Sequence, residues 1–343
     1  MGCAVDGSRC TIWAIYDQDV RWLGWIVVFV LVAVAGAGWL AVTPYGPSSE
    51  TFVEIAPGTN TEGIGDALRK AGVIRSGVLF AALKKYRGGT LKAGEYRFDH
   101  PAPMTEVYAR LRKGDVYTKT VVIPEGYDIF QVAKAVGDAG LLSEKEFLAA
   151  ELQHPELVKR WNPMAASVEG YLFPDTYKFS RKATAVDMIA AMVKRFGQMA
   201  AKLGVEPRDA PRVVTMASLV EREVHIPSER AAVAGVFENR LALGMPLQTD
   251  PAVAYASELR GTWTGVIHQS ELHSDSTYNT YTHAGLPPGP ICNPGVAALQ
   301  AAMHPLKSDY LYFVADARGN TTFARTLAEH TQNVAAYRAA GGK

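Results

Sequence analysis

The chain has 343 residues, 48% hydrophobic and 20% charged, enough to bury a sizeable core and to form two globular units rather than one. Its 35 basic and 34 acidic residues leave a net charge of +1 with no conspicuous run of Lys or Arg. That balance argues against a nucleic-acid partner and fits a neutral or mixed-charge polymer better.

The first 21 residues read as a short cytoplasmic tail. Trp22 to Thr43 then carries no charge and is about as long as a bilayer core is thick, so 22–43 is expected to be a transmembrane helix. Trp22, Trp25 and Trp39 fall towards its ends, where indole rings favour the interface. Arg9 and Arg21 precede it and no basic residue follows until Arg69, which puts the remainder outside the cytoplasm. A cleaved signal peptide is the rival, but its apolar stretch is usually shorter and its flank more basic. Either way the body is exported. Cys3 and Cys10 would then lie on one side and Cys292 on the other. The three form no Cys-x-x-Cys pair and no metal-ligand cluster with His, so neither a metal nor another cofactor is expected.

Pro44 to Glu50 reads as a linker of turn residues. A pattern then occurs twice: Val53-Glu54-Ile55-Ala56-Pro57-Gly58 and Val121-Val122-Ile123-Pro124-Glu125-Gly126 each open a β-branched strand and a Gly turn. An amphipathic helix follows in both copies, closed by Ala71-Gly72 and Ala139-Gly140. Between the copies, 91–98 reads as a strand and Met104 to Lys113 as a helix stopped by Gly114. From about Leu152 longer helical patterns alternate with loops rich in Pro, Gly and Asn. These loops hold the strings 169–177, Gln248-Thr249-Asp250-Pro251, Tyr278-Asn279-Thr280-Tyr281 and 285–290. Asp250-Pro251 and Asn293-Pro294 each resemble a helix N-cap followed by Pro at the first helical position.

Val213 to Val224 reads as a helix with an apolar stripe of Val213, Ala217, Val220 and Val224. Glu221 and Glu223 flank that stripe, about 200° apart at 100° per residue, so they cannot pair with each other. A glutamate beside an apolar stripe is partly desolvated and can stay protonated near neutral pH, as cleavage of a glycosidic bond requires. The plain alternative is a salt bridge with Arg222 or Arg230, and periodicity does not choose between the two glutamates. No Gly-x-Ser-x-Gly elbow, Walker loop or His-Glu-x-x-His string is present. His225 lacks a second ligand at metal spacing and reads as structural or as a minor contact.

Taken together, the strings Glu169–Tyr177, 216–223, Asn239-Arg240-Leu241, 244–250, 278–281, 285–289 and 304–315 resemble the endolytic peptidoglycan transglycosylases of the YceG-like family. The resemblance implies an α+β protein with a single transmembrane helix, a small LysM-like peptidoglycan-binding α/β region over 50–150, and a helical-plus-β catalytic domain over 151–340. It implies an inner-membrane protein facing the periplasm that cleaves the MurNAc-β-1,4-GlcNAc bond of nascent strands. The product would be 1,6-anhydro-MurNAc, and the cut would terminate strand elongation. Glu223 corresponds to the family's acid/base, with Glu221 in reserve, and Val224 stands where related lytic transglycosylases commonly carry a small hydroxyl residue. Tyr278, Asn279, Thr280 and Tyr281, with Gln248, Thr249, Asp250 and Glu169, are the expected substrate-binding residues. The partners implied are glycan strands, the membrane, and penicillin-binding proteins or other wall synthases. A catalytically silent wall-binding scaffold and a hydrolytic muramidase are the alternatives.

Overall fold

A computed structural model describes residues 10–224, 226–315 and 320–339, without the side chains of 10–21 and Ala315. Cys3, His225 and the start of the expected cytoplasmic tail lie outside the described residues. The chain forms two compact units, Met1–Tyr117 and Thr118–Lys343.

The first unit opens with α1 (Cys10–Val42), whose Trp22–Val42 stretch is long and apolar enough to cross a membrane and stands largely exposed. The helix closes at Thr43, whose N–H and hydroxyl both donate to the Trp39 carbonyl, at 3.0 and 2.9 Å. Residues 44–50, expected as a linker, are instead tied to the unit. Tyr45 and Ala102 exchange two backbone hydrogen bonds of 3.1 and 3.0 Å, a contact too local to leave any periodicity in the sequence.

There follow β1 (Thr51–Ile55), α2 (Thr61–Lys70), α3 (Gly77–Arg87), β2 (Gly94–Phe98) and α4 (Met104–Lys113). β1 and β2 pair antiparallel, Thr51 opposite Phe98 and Ile55 opposite Gly94. Val53 and Ile55 thereby alternate inward onto Leu68, Phe80, Tyr96, Val107 and Leu111, all buried. The side chains of Asn60 and Ser76 cap α2 and α3 by accepting from Gly63 and Leu79 N–H, and Gly114 ends α4 in the left-handed conformation.

The second unit begins with β3 (Lys119–Ile123), α5 (Ile129–Asp138), α6 (Glu144–Gln153) and β4 (Asp175–Phe179). β3 pairs antiparallel with β4, Lys119 opposite Phe179, and its inward Val121 and Ile123 join a core that runs on to Leu299. The second compact unit therefore starts at Thr118, and its strand–helix copy closes against residues from beyond 150. The pairing also makes the end of the 169–177 string a strand instead of a loop. The two copies keep the same local geometry in different units. Gly58 and Gly126 both have φ +81°, and Asn60 and Asp128 both cap a ten-residue helix.

The remainder is α7 (Ala185–Leu203), α8 (Ala210–Glu223), α9 (Arg230–Ala242), α10 (Asp250–Leu259), the single turn α11 (Gln269–Leu272), α12 (Val296–Met303), the hairpin β5 (Tyr312–Ala315) with β6 (Thr321–Ala324), and α13 (Leu327–Ala339). α8 is the spine: Val214 to Glu221 are all buried, so the helix carries more than the single stripe expected of it. Val214 and Ala217 join one core, while Met216, Leu219 and Val220 join another with α9 and α10. Gly235 on α9 allows a close backbone approach, since a Cβ there would lie 2.2 Å from the Leu306 carbonyl oxygen.

Candidate active site

The end of α8 carries both glutamates, and the fold gives them different surroundings. Glu221 is buried and accepts from Arg230 Nη2 at 2.6 Å and from the Gly295 N–H at 2.9 Å. It is a structural ion pair, joining α8 to α9 and to the segment that opens α12. Glu223, turned away by the helical twist, accepts no hydrogen bond among the described residues. Burial pushes its pKa up to about 7, with the Asp250 carboxylate adding to the rise and the Arg240 guanidinium opposing it. A carboxyl that is poised near neutrality and not committed to a protein donor can give up a proton and later take one back.

Three elements surround Glu223. Arg240, from α9, is 8% exposed, and its Nε donates to the Leu311 carbonyl at 2.7 Å while Nη1 donates to Leu247 at 2.8 Å and Pro246 at 3.3 Å. Its guanidinium also lies 5.2 Å from the centre of the Tyr312 ring. These contacts leave Nη2 without a hydrogen bond among the described residues, on a cation that acts electrostatically on both Glu223 and Tyr281. From the start of α10, Asp250 accepts from the Tyr281 hydroxyl at 2.6 Å. Burial and then that hydrogen bond raise the Tyr281 pKa, so the phenol stays a donor. Gln248 is exposed beside this pair with φ +53°, a left-handed conformation that is rare without glycine and is found disproportionately at functional sites.

The other expected substrate residues build the frame. Thr249 and Thr280 are buried, and the Thr249 N–H donates to the Thr280 hydroxyl at 2.9 Å. Asn279 is fully buried: its amide donates to the carbonyls of Leu272 (3.1 Å) and Ser274 (2.8 Å), and its oxygen accepts from the Tyr281 N–H at 3.0 Å. It thereby holds Tyr281 in position without facing the cleft. Tyr278 is half-buried and packs edge-on against Tyr255 at 5.2 Å. Glu169 is buried and accepts from the N–H groups of Ile129 (3.0 Å) and Gly170 (3.2 Å) and from the Asn293 amide at 3.3 Å. Burial first, then Asp128, push its pKa up to about 8.

Neither expected Asx-Pro cap forms. Asp250 is already the first residue of α10, with Thr249 before it, and its carboxylate is taken by Tyr281. Asn293 precedes α12 by more than a cap position and is recruited by Leu172, Tyr127 and Glu169. In both cases a distant partner outcompetes the local N–H groups.

A cleft of about 580 Å³ opens beside Asp250, lined among others by Glu125, Gly126, Gln131, Glu221, Arg222 and Ile267, while Glu223 is not part of its lining. Arg222 donates to the Gly126 carbonyl at 3.2 Å and lies 3.6 Å from the buried Asp128 carboxylate. Its lining of charges, amide and aliphatic carbons suits a polar ligand with apolar edges, as a sugar chain has. The described residues contain no cluster of His, Cys, Asp or Glu arranged to hold a metal ion.

The sequence pattern of the YceG-like family matches residues 53–336, which include Glu223, Arg240, Asp250 and Tyr281. The chain belongs to the YceG-like family. Among its relatives is a protein of Bacillus subtilis (strain 168) named endolytic murein transglycosylase, 34% identical over 84% of this chain and 86% of the relative. A protein of the same name from Streptococcus pneumoniae serotype 2 is 32% identical over 86% of this chain, which spans only 60% of that relative's length. A crystal structure of a YceG-like protein from Listeria monocytogenes superposes with a TM-score of 0.54 at 32% identity, covering 83% of this chain and 99% of that one. The residues most clearly missed by sequence reasoning are Arg240 and Tyr312. Both stand in strings that carry the family resemblance, Asn239-Arg240-Leu241 and 304–315, but residue type alone gave neither a place near Glu223.

Proposed function

We propose that this YceG-like protein is an endolytic murein transglycosylase with Glu223 as its sole acid/base. The observation that carries this assignment is the contrast within one helical turn. Glu221 is consumed by Arg230 and Gly295, whereas Glu223 is desolvated, without a hydrogen bond among the described residues and poised at about 7. Protonated Glu223 gives its proton to the oxygen linking MurNAc to GlcNAc, and the C1–O bond breaks with an oxocarbenium-like ring. The Glu223 carboxylate then removes the proton of the MurNAc C6 hydroxyl as O6 attacks C1. The 1,6-anhydro ring closes, the proton is back on Glu223, and no water enters. Arg240 stabilises the carboxylate stage of this cycle, and Asp250 with Tyr281 offers an acceptor and a fixed hydroxyl beside it.

The names of the relatives, endolytic murein transglycosylase, support the same substrate. α1 serves in this reading as a single-pass inner-membrane anchor with both units in the periplasm, the first as a LysM-like wall-binding region. Cutting within nascent strands would end their elongation, beside wall synthases such as penicillin-binding proteins.

Purified peptidoglycan treated with wild type and with Glu223→Gln, and read by mass spectrometry, tests the proposal. Anhydro-muropeptides from wild type alone support it. Anhydro products from both move the acid away from Glu223. Asp250 lies close enough to influence Glu223, so a second carboxylate able to activate water is the specific alternative. Reducing ends from wild type would favour that muramidase.

A further inference from the structure

We propose that the first unit is mounted on the bilayer without slack and docks on anionic phospholipid headgroups through Arg69, Lys70 and Arg75, with Val78 as an apolar contact. The proposal rests on α1 being a retained anchor.

The span ends at Val42, and the globular contacts begin one residue later. The Thr43 hydroxyl accepts from Arg75 Nη1 at 3.2 Å, and the Arg75 guanidinium lies 5.0 Å from the centre of the Tyr45 ring. Tyr45 is bonded in both directions to Ala102, and Gly46, at φ +140°, passes close to the Val73 carbonyl and Pro101. The turn between α2 and α3 is therefore fastened to the residues that close the span. The headgroup layer is roughly 5–8 Å deep on each side of the hydrocarbon, so a guanidinium bonded to Thr43 lies within it. Trp39 and Tyr45, both exposed, bracket the boundary as interfacial aromatics do.

The surface brought there is suited to that layer. Arg69, Lys70 and Arg75 are exposed, and Asp66, three residues before Arg69 on α2, lies 3.7 Å from it in a pair more than half open to solvent. Val78 is 80% exposed, while Leu79 and Phe80 pack inward. A basic turn is ordinarily only a solvated face. This one is distinguished by its hydrogen bond to Thr43, the residue that follows the membrane span. Phosphate esters pair with the three cations, and Val78 reaches between headgroups.

The test uses full-length protein carrying Cys3→Ser and Cys10→Ser, with a fluorophore on Val78→Cys, in vesicles of phosphatidylglycerol and phosphatidylethanolamine or of phosphatidylcholine. The native Cys292 is buried and escapes labelling. A headgroup-attached quencher reports docking, and brominated acyl chains quenching the α1 tryptophans report insertion in the same samples. The proposal expects insertion in both lipids, strong headgroup quenching in the anionic vesicles, and a docking equilibrium weakened about fivefold for each cation removed by Arg69→Gln and Lys70→Gln. An inserted α1 with an unquenched probe overturns it. So does quenching indifferent to lipid charge and to those substitutions. Absent acyl-chain quenching overturns the anchor itself, and the docking with it.

Discussion

Replacing Glu223 by Gln should abolish cleavage and, at alkaline pH, make the protein more stable. In the unfolded chain this carboxyl has its ordinary pKa of 4.5, and in the folded protein it is raised to about 7. Below 4.5 both states hold the proton and wild type has its full stability. Between 4.5 and 7 the unfolded state releases its proton while the folded state retains it, so stability falls, and above 7 the whole difference has been lost. At 1.36 kcal/mol per pH unit that gap amounts to about 3 kcal/mol. Gln has the same shape and carries no charge to desolvate. A domain of this size moves by roughly 2–4 °C per kcal/mol, so the Gln variant should melt roughly 6–12 °C above wild type at pH 8.5. At pH 4 that advantage should have largely disappeared. Scanning calorimetry of both full-length proteins in one detergent, at both pH values, measures it. A wild type that melts as high as the variant at pH 8.5, or a difference that does not change with pH, refutes the desolvated acid.

Two substitutions should move the pH–rate profile in opposite directions. Asp250→Asn removes a charge that raises the Glu223 pKa, so the alkaline limb of activity should shift to lower pH. Arg240→Gln removes the opposing cation, so any remaining activity should extend to higher pH. The Arg240 variant should also lose about 1–3 kcal/mol for each buried carbonyl left unpaired, measured by denaturant titration. Glu221→Gln leaves the buried Arg230 with only the half-exposed Glu125 carboxylate, 4.0 Å away, as counter-charge and should cost about 3–5 kcal/mol, seen as a lower denaturation midpoint. Gly235→Ala drives a methyl group onto the Leu306 carbonyl and should lower the midpoint by about 1–3 kcal/mol.

Much of the local architecture was legible because it is written in periodicity and turn chemistry. The Pro-Gly turns at 58 and 126, the Ala-Gly helix ends and the α4 helix with its Gly114 stop all stand where the sequence puts them. Helical geometry also separated Glu221 from Glu223. It left the choice between them open, because a helical wheel treats both flanks of a stripe alike. The difference is made by Arg230 on one side and by Asp250 and Arg240 on the other, all tertiary neighbours. The same limit explains Asp250 and Asn293. Asx-Pro looks identical whether the side chain caps its own helix or is drawn off by Tyr281 or Glu169. β4 was hidden for a related reason, since its partner strand lies more than fifty residues earlier. Most side chains of the polar strings at 248–250 and 278–281 turn inward and fix the two or three that face outward.

Residues near the C-terminus bear on when the surroundings of Glu223 are complete. Asn239 donates to the carbonyls of Ser308 and Tyr310 at 2.7 and 2.8 Å, and Arg240 is pinned to that of Leu311. A chain emerging N-terminus first thus delivers Glu223 long before the strap that orients the neighbouring cation. A stalled or truncated product would hold Glu223 but not the frame that tunes it. On the proposed activity against the wall, such late completion would withhold cleavage from unfinished copies.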